Sequence, residues 1–385
     1  MSSSESHKTA RESIRALPTG IWTLGLVSLF MDTSSELVHS LLPVFMASTL
    51  GASMMTIGLV EGIAESTAAI TKVFSGAISD WIGKRKILVV LGYGIAAVTK
   101  PLFPLASTIN LVLAARFIDR IGKGIRGAPR DALIADISPR KQLGAAYGLR
   151  QALDTIGAFL GPLLGMVFMA WLTSDIRTVL WVAVVPALIA VALLIFGVHE
   201  PRRIGAGSEV RKPITLMEAR RLPLRYWLTV LLGALFTLAR FSEAFLVLRA
   251  QDIGLALVYV PLVLIVMNIV YAATAYPAGA ASDRFSRKWL LIVGLAMLIA
   301  ADFTLAMATK PLHVLIGAAI WGLHMGVTQG LFNKLVAETA PSEIRGTAFG
   351  IFNLVGGGSL LLASVIAGAL WSRYGAPATF WAGAG

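Results

Sequence analysis

Two long apolar stretches each carry a pair of carboxylates spaced four apart: Asp32 with Glu36, and Glu61 with Glu65. Residues four apart share a helix face. Ser28, Ser35 and His39 fall on the face of the first pair. Lys72, Ser75 and Ser79 join the second within an arc of about 80°. A charge at the centre of a bilayer costs at least about 2.5–3.5 kcal/mol on insertion scales, so such a stripe must face a cavity or another helix. Carboxylates that crowd one another and are poorly solvated suit the uptake and release of protons. Asp32, Glu36, Glu61 and Glu65 are therefore candidate proton-coupling groups, Glu36 and Glu65 first among them. His324 is a weaker relay candidate.

Other charges fall at similar depth. Lys72, Lys100, Arg116, Asp119, Arg240 and Glu243 are candidates to line a substrate cavity, where the cations balance the carboxylates or hold an anionic group. Arg150 and Asp154, four apart, read as an intrahelical pair at an inner gate. The segment Arg116–Asp136, RFIDRIGKGIRGAPRDALIAD, is the most charged. The apolar run before it is far shorter than the roughly 20 residues a span needs, so the span must run on through the charges. On a helix Arg116, Asp119, Arg120, Lys123, Arg126 and Arg130 fall within about 120°. Arg116 and Asp119 are read as cavity residues and Arg126 and Arg130 as inner anchors, with Pro129 marking a bend or the helix end.

Several chemistries are excluded by what the chain lacks. With no cysteine there is no disulfide and no thiol chemistry. No nucleophile elbow, HExxH or P-loop occurs, and GKGIRGAP lacks the Gly-Lys-Ser/Thr ending of a phosphate loop. No enzyme activity, cofactor or metal is expected. The net charge of +12 concentrates in loops on one side, which argues against nucleic acid as the partner.

The elements that must hold these residues are membrane helices. The chain has 385 residues, of which 56% are hydrophobic and 14% charged, against about 45–50% and 25% for soluble domains. Spans are expected near 21–47, 55–80, 87–107, 109–130, 143–171, 177–197, 226–249, 256–281, 289–308, 312–337 and 346–371. A twelfth starts near Pro377 and is expected to be cut short. Lys8, Arg11, Arg15, Lys84, Arg85, Lys86, Arg140, Lys141, Arg284, Arg287, Lys288 and Arg345 lie on the side of the N-terminus, with Arg202, Arg203, Arg211 and Lys212 in the long loop. The positive-inside rule then makes that side cytoplasmic. The expected organisation is a cytoplasmic tail over 1–19, a six-helix bundle over 20–198, a linker over 199–225 and a second bundle over 226–385. Thr215 and Glu218 form a capping-box pattern, which predicts a short amphipathic helix in the linker.

The halves repeat. GAISDWIGKRK (Gly76–Lys86) matches GAASDRFSRKW (Gly279–Trp289) at an offset of 203. ADISPRKQLGAAYGL (Ala135–Leu149) matches AETAPSEIRGTAFGI (Ala337–Ile351) at an offset of 202. Parallel six-helix repeats imply two bundles related by an axis along the membrane normal, with a ligand site between them.

Gly76, Asp80, Gly83, Lys84 and Arg85 resemble the signature loop of the major facilitator superfamily, and Gly279, Asp283, Arg287 and Lys288 resemble its second copy. Arg116 is similar to that family's buried fourth-helix arginine. Gly148, Gly157, Gly161, Pro162 and Gly165 resemble the fifth-helix pattern of its proton-coupled antiporters, with Met166 in place of a second glycine. Independently, Gly157 and Gly161 give a small-xxx-small face for close packing. The resemblance implies an all-α fold of twelve transmembrane helices in two pseudo-symmetric six-helix bundles, working by alternating access as a monomer. Proton-coupled export of a small organic solute across a bacterial inner membrane is expected. Proton-coupled uptake of an organic solute or anion is the second reading, and a receptor the third. The partners are then a small-molecule substrate, protons and the lipid bilayer.

Overall fold

The computed structural model describes residues 17–82, 84–139, 142–199, 222–284, 286–341 and 344–385. Its elements are helices. They are α1 (Thr19–Val44), α2 (Met54–Ile82), α3 (Arg85–Leu105), α4 (Ile109–Ile137), α5 (Leu143–Trp171) and α6 (Ile176–Gly197). Then come α7 (Leu224–Asp252), α8 (Leu262–Arg284), α9 (Arg287–Ala306), α10 (Pro311–Thr339), α11 (Arg345–Tyr374) and α12 (Ala376–Ala384). The linker helix expected around Thr215 and most of the N-terminal tail lie outside the described residues. So do Gly83 and the side chains of Asp80 and Asp283.

Local chemistry sets the boundaries. Thr108 caps α4 by accepting from the Leu111 amide, and Asp175 caps α6 by accepting from the amides of Arg177 and Thr178. Pro43 is followed by a π-helical turn at Phe45–Thr49, and Gly51, at φ 67°, turns the chain into α2. Pro101 interrupts α3 after Thr99. Pro129 does not end α4, which runs on to Ile137, two turns past the expected boundary. Arg240–Glu243 divide α7 into Leu224–Ala239 and Ala244–Asp252.

Eight helices of the described residues are long and apolar enough to cross a membrane by composition alone. α1, α2 and α4, which carry the charged stripes, are not among them. Large apolar side chains point outward, Trp171 at 90% and Phe196 at 80% exposure, as a lipid-facing surface requires. Trp22, Trp171, Trp181, Trp227 and Trp289 stand near helix ends, where amphipathic rings meet the headgroups.

The apolar cores differ at the two ends of the bundle. On the side away from the N-terminus one core joins both halves. It includes Leu41, Phe45 and Val60 from the first six helices, and Phe245, Met267 and Trp371 from the last six. Arg249 is buried beside it and donates to the carbonyls of Leu305 and Ala308 at 3.1 and 2.9 Å. On the N-terminal side the core splits. One cluster, with Leu24, Tyr93 and Leu194, belongs to the first half, and the other, with Tyr226, Val336 and Ala348, to the last. The halves are thus joined at one face and parted at the other.

Cross-half contacts hold this shape, α2 with α11, α5 with α8, and α1 with the second part of α7. The repeat exchanges the α2–α11 contact for the α5–α8 contact and maps the α1–α7 contact onto itself. Glycines bring α2 and α11 together: a Cβ on Gly58 would lie 2.2 Å from the Ser364 carbonyl oxygen, and one on Gly368 would lie 2.5 Å from that of Met54. The repeat also recurs in ion pairs. Arg85 binds Asp136 at 2.8 Å, and Arg287 binds Glu338 at 2.8 Å, both partners moved by the same 202 residues. Each pair ties the start of a third helix to the end of a fourth within one half. Gly58→Val should wedge the joined face apart. The expected loss is about 1–3 kcal/mol of stability, read as a lower unfolding midpoint in detergent, and an unchanged midpoint would contradict the close α2–α11 contact.

Candidate functional site

The striped helix α4 runs parallel to α2, and their charges pair in register. Arg116 binds Glu61 and Arg120 binds Glu65 at 3.3 Å, one turn further along both helices. Glu61 and Arg116 are buried at 0% and 1% exposure. An unpaired buried charge is strongly disfavoured, and mutual pairing offsets that cost. The expectation that these carboxylates crowd one another is therefore corrected for Glu61 and Glu65: each has an arginine of α4 as its partner. On the other flank of α4, Asp119 takes Lys100 at 2.8 Å, and Lys100 also donates to Ser35 on α1 at 3.1 Å. Lys100, Arg116 and Asp119, expected to line a cavity, are buried in ion pairs that clamp α1, α2, α3 and α4.

One turn beyond Arg120 the acids run out. Gly76, Gly124 and Gly127 let α2 and α4 approach; Lys72 lies along Gly127 with its Cε 3.7 Å from where a Cβ would stand. A cavity of about 390 Å³ opens here. Lys72 borders it together with Lys123, Arg126 and Arg130 of α4. Arg126 and Arg130, read from sequence as anchors, are thus cavity residues, while Arg116 and Asp119 are the structural ones. Arg126 stacks on Tyr93 with its guanidinium carbon 4.5 Å from the ring centre. Arg130 donates to Asp131 at 3.2 Å and to Ser28 at 3.2 Å.

The opposite wall belongs to α1 and α5. Asp32 and Glu36 line the cavity, half-buried, and neither makes an ion pair within 4.0 Å among the described residues. Asp154 also lines it and is bonded by Arg150, the intrahelical pair expected from spacing. The fifth-helix glycines set the position of the carboxylates. A Cβ on Gly157 would lie 2.5 Å from the Leu29 carbonyl oxygen and 3.1 Å from Asp32 Cβ. One on Gly161 would lie 2.6 Å from the Thr33 carbonyl oxygen and 2.9 Å from Glu36 Cβ. The small-xxx-small face therefore packs on α1 where the two acids leave it. Pro162 lies within α5, Gly165 packs more loosely on Leu41, and a Cβ on Gly148 would meet nothing.

Asn268 and Tyr271 of α8 complete the cavity from the second half. Tyr271 donates to Gln329 of α10 at 3.0 Å. Gln329 lines a second cavity of about 200 Å³, inside the last six helices, together with Phe236, Arg240, His324, Phe332 and Phe352. His324 Nδ1 lies 2.7 Å from the Gly294 carbonyl, which can only accept, so Nδ1 carries a proton, and in the neutral ring Nε2 is then the acceptor. Arg240 and Glu243 flank the break in α7, where Ser364 accepts from the freed Ser242 amide at 3.2 Å. Interrupted helices inside a membrane occur where the backbone is held by protein or faces a cavity. Nothing in LARFSEA (Leu238–Ala244) announces this break. No cluster of three or more His, Cys, Asp or Glu suited to a metal ion occurs among the described residues.

Comparison with known proteins places this architecture. The Major Facilitator Superfamily model matches residues 24–267 and 244–385. The chain belongs to that superfamily. It is 34% identical over 369 residues to the uncharacterized MFS-type transporter MJ1317 of Methanocaldococcus jannaschii, covering 94% of this chain and 90% of the relative. Over 167 residues it is 28% identical to the quinolone resistance protein NorA of Staphylococcus aureus, which covers 43% of this chain and 42% of NorA. Among solved structures, a mutant of the nucleoside transporter NupG superposes with a TM-score of 0.82 at 13% identity, over 94% of this chain and 96% of that one. This superfamily member is a multi-pass membrane transporter and not an enzyme, with two six-helix halves around a central cavity.

The buried rung is open to a direct check. Arg116→Met should cost about 3–5 kcal/mol, because Glu61 is left buried without its partner. Adding Glu61→Leu should restore most of that loss. Denaturant unfolding of both single variants and the double variant measures the coupling, and strictly additive losses would contradict the pairing.

Proposed function

We propose that the protein is a proton-coupled secondary transporter for a small organic solute, with Asp32 and Glu36 as the proton-accepting pair. One observation carries this reading. Two carboxylates without ion-pair partners among the described residues stand in the wall of a cavity between the halves, while Glu61 and Glu65 each hold an arginine. A carboxylate free to exchange its proton inside the substrate cavity can link proton binding to solute binding. Of the sequence candidates Glu36 is retained first. Glu65, half-buried beside Arg120, is a group whose release from that pair accompanies rearrangement of α2 and α4.

The joined core at one face and the split cores at the other support an alternating-access cycle in which each half rocks as a unit. With the basic loops cytoplasmic, this conformer faces inward. The glycines of α5 packed on α1 and the partial similarity to NorA favour exchange of protons for an outgoing solute. The surplus of cations on α2 and α4 favours the second reading, co-transport of protons with an organic anion.

Reconstitution in liposomes separates the two. Under a pH gradient, exchange accumulates solute on the acid side and co-transport on the alkaline side. Asp32→Asn and Glu36→Gln should each lower gradient-driven accumulation at least tenfold while gradient-free equilibration continues. Wild-type flux indifferent to every ion gradient would refute secondary active transport.

A further inference from the structure

Not all the charges around the larger cavity are neutralised. Asp154 is held by Arg150, and Arg130 by Asp131, and neither of those outer partners lines the cavity. Lys72, Lys123 and Arg126 then share the cavity lining with Asp32 and Glu36. Three cations meet two acids, so the wall carries one positive charge with both acids ionised and three with both protonated. Arg126 is 4% exposed, and its Nη1 has no hydrogen-bond partner among the described residues. A buried guanidinium donor left unbonded is costly, and Arg126 itself borders the cavity while stacking on Tyr93. Lys123 is exposed in the same wall. Arginine with lysines around it suits an oxyanion, through the planar fork of one and the point charges of the others.

The second cavity is built for a different chemistry. Phe236 and Phe332 meet edge to face at 5.1 Å, and Phe332 and Phe352 lie 6.2 Å apart. Its volume of about 200 Å³ has room for a ring, and Thr237, Arg240, His324, Thr328, Gln329 and Asn333 line it beside the three phenylalanines. The Tyr271–Gln329 hydrogen bond joins a residue lining the first cavity to one lining the second, so the two cavities share a wall within the second half.

We propose that the solute is an aromatic organic anion, its acidic group held by Lys72, Lys123 and Arg126 and its ring by Phe236, Phe332 and Phe352. This rests on the transport reading of the same cavity. It also selects between the two coupling signs. A proton on Asp32 or Glu36 removes a competitor for the cations, so proton and anion strengthen each other's binding by reciprocity, which is co-transport. The charged groups facing the two acids are Lys72 of α2, Asp154 of α5 and the three cations of α4. Glu243 of α7 and the Arg120–Glu65 pair stand beyond, with His39 on α1 itself. Tyr271 of α8 completes the set.

Binding to the purified full chain, with no gradient, tests the proposal. The probes are 3-phenylpropionate, its neutral amide, 3-phenylpropylamine, phenyl phosphate and acetate. 3-Phenylpropionate should bind at least tenfold more tightly than the amide, and more tightly still at pH 5.5 than at pH 7.5. The amine should be weakest, and acetate should bind at least tenfold more weakly than 3-phenylpropionate. Phenyl phosphate reports whether a carboxylate or a phosphate is the preferred oxyanion, and binding of either above the amide supports the anion site. Lys123→Gln, an exposed position that leaves folding intact, should abolish the preference for the anion, and Arg126→Gln should do the same. Phe332→Ala should remove the advantage of 3-phenylpropionate over acetate. Equal binding of anion and amide, tighter binding of the amine, or an unchanged preference in Lys123→Gln overturns the proposal. Anion-selective binding without gradient-driven flux would instead overturn the transport reading and leave the anion site standing.

Discussion

The ladder between α2 and α4 governs how this chain can be both membrane-embedded and charged. Arg116 with Glu61 and Arg120 with Glu65 neutralise two turns of a helix that could not otherwise sit among apolar neighbours. Because both helices run the same way and both partners repeat every four residues, the pairs set the register of α4 against α2. That register places glycine against small residues in the next turn, and the helices close in. Lys72 and the later cations of α4 then reach a cavity with no acid of their own ladder beside them. The neutral rungs and the positive cavity are consecutive parts of one pattern.

The repeat is exact enough to be read in the ion pairs and unequal where function needs it. Arg85–Asp136 and Arg287–Glu338 are the same contact made twice. The cavities are not the same made twice. The first half supplies most of the charge, and the last supplies aromatic rings, an imidazole, the single cation Arg240 and an interrupted helix. Two copies of one scaffold have kept their framework contacts and divided the chemistry between them.

Much of this architecture was legible in the sequence, and the misses have physical causes. Hydrophobic run length gave the helices, and the 202-residue offset gave the pairing of the halves. The spacing of Arg150 and Asp154 gave their bond, and Gly157 and Gly161 gave a close-packing face on α5 though not α1 as its partner. Periodicity gave the face of each charged residue but not its depth or partner. It therefore could not show that Arg116 and Asp119 are locked in pairs while Arg126 and Arg130 border the cavity. Four carboxylates on two helices read as one crowded group until helix orientation assigned two of them to arginines. Pro129 was a weak stop signal because the α4 backbone continues helically through it. The break at Arg240 has no glycine or proline to mark it, and its freed amide is satisfied by a serine 122 residues away in sequence.

The joined apolar core has a thermal consequence. In the proposed cycle, opening that face puts rings such as Phe245, now beside Gly58, into water. Apolar surface entering water raises the heat capacity by about 0.45 cal/K/mol per Å². The cavity at the split face is lined by charged side chains, so its closing recovers less of that quantity. The two conformers therefore differ in heat capacity, and their balance bends with temperature. Cooling weakens the hydrophobic closure of the joined face, so temperature alone can serve as a lever on which side of the membrane the cavity faces.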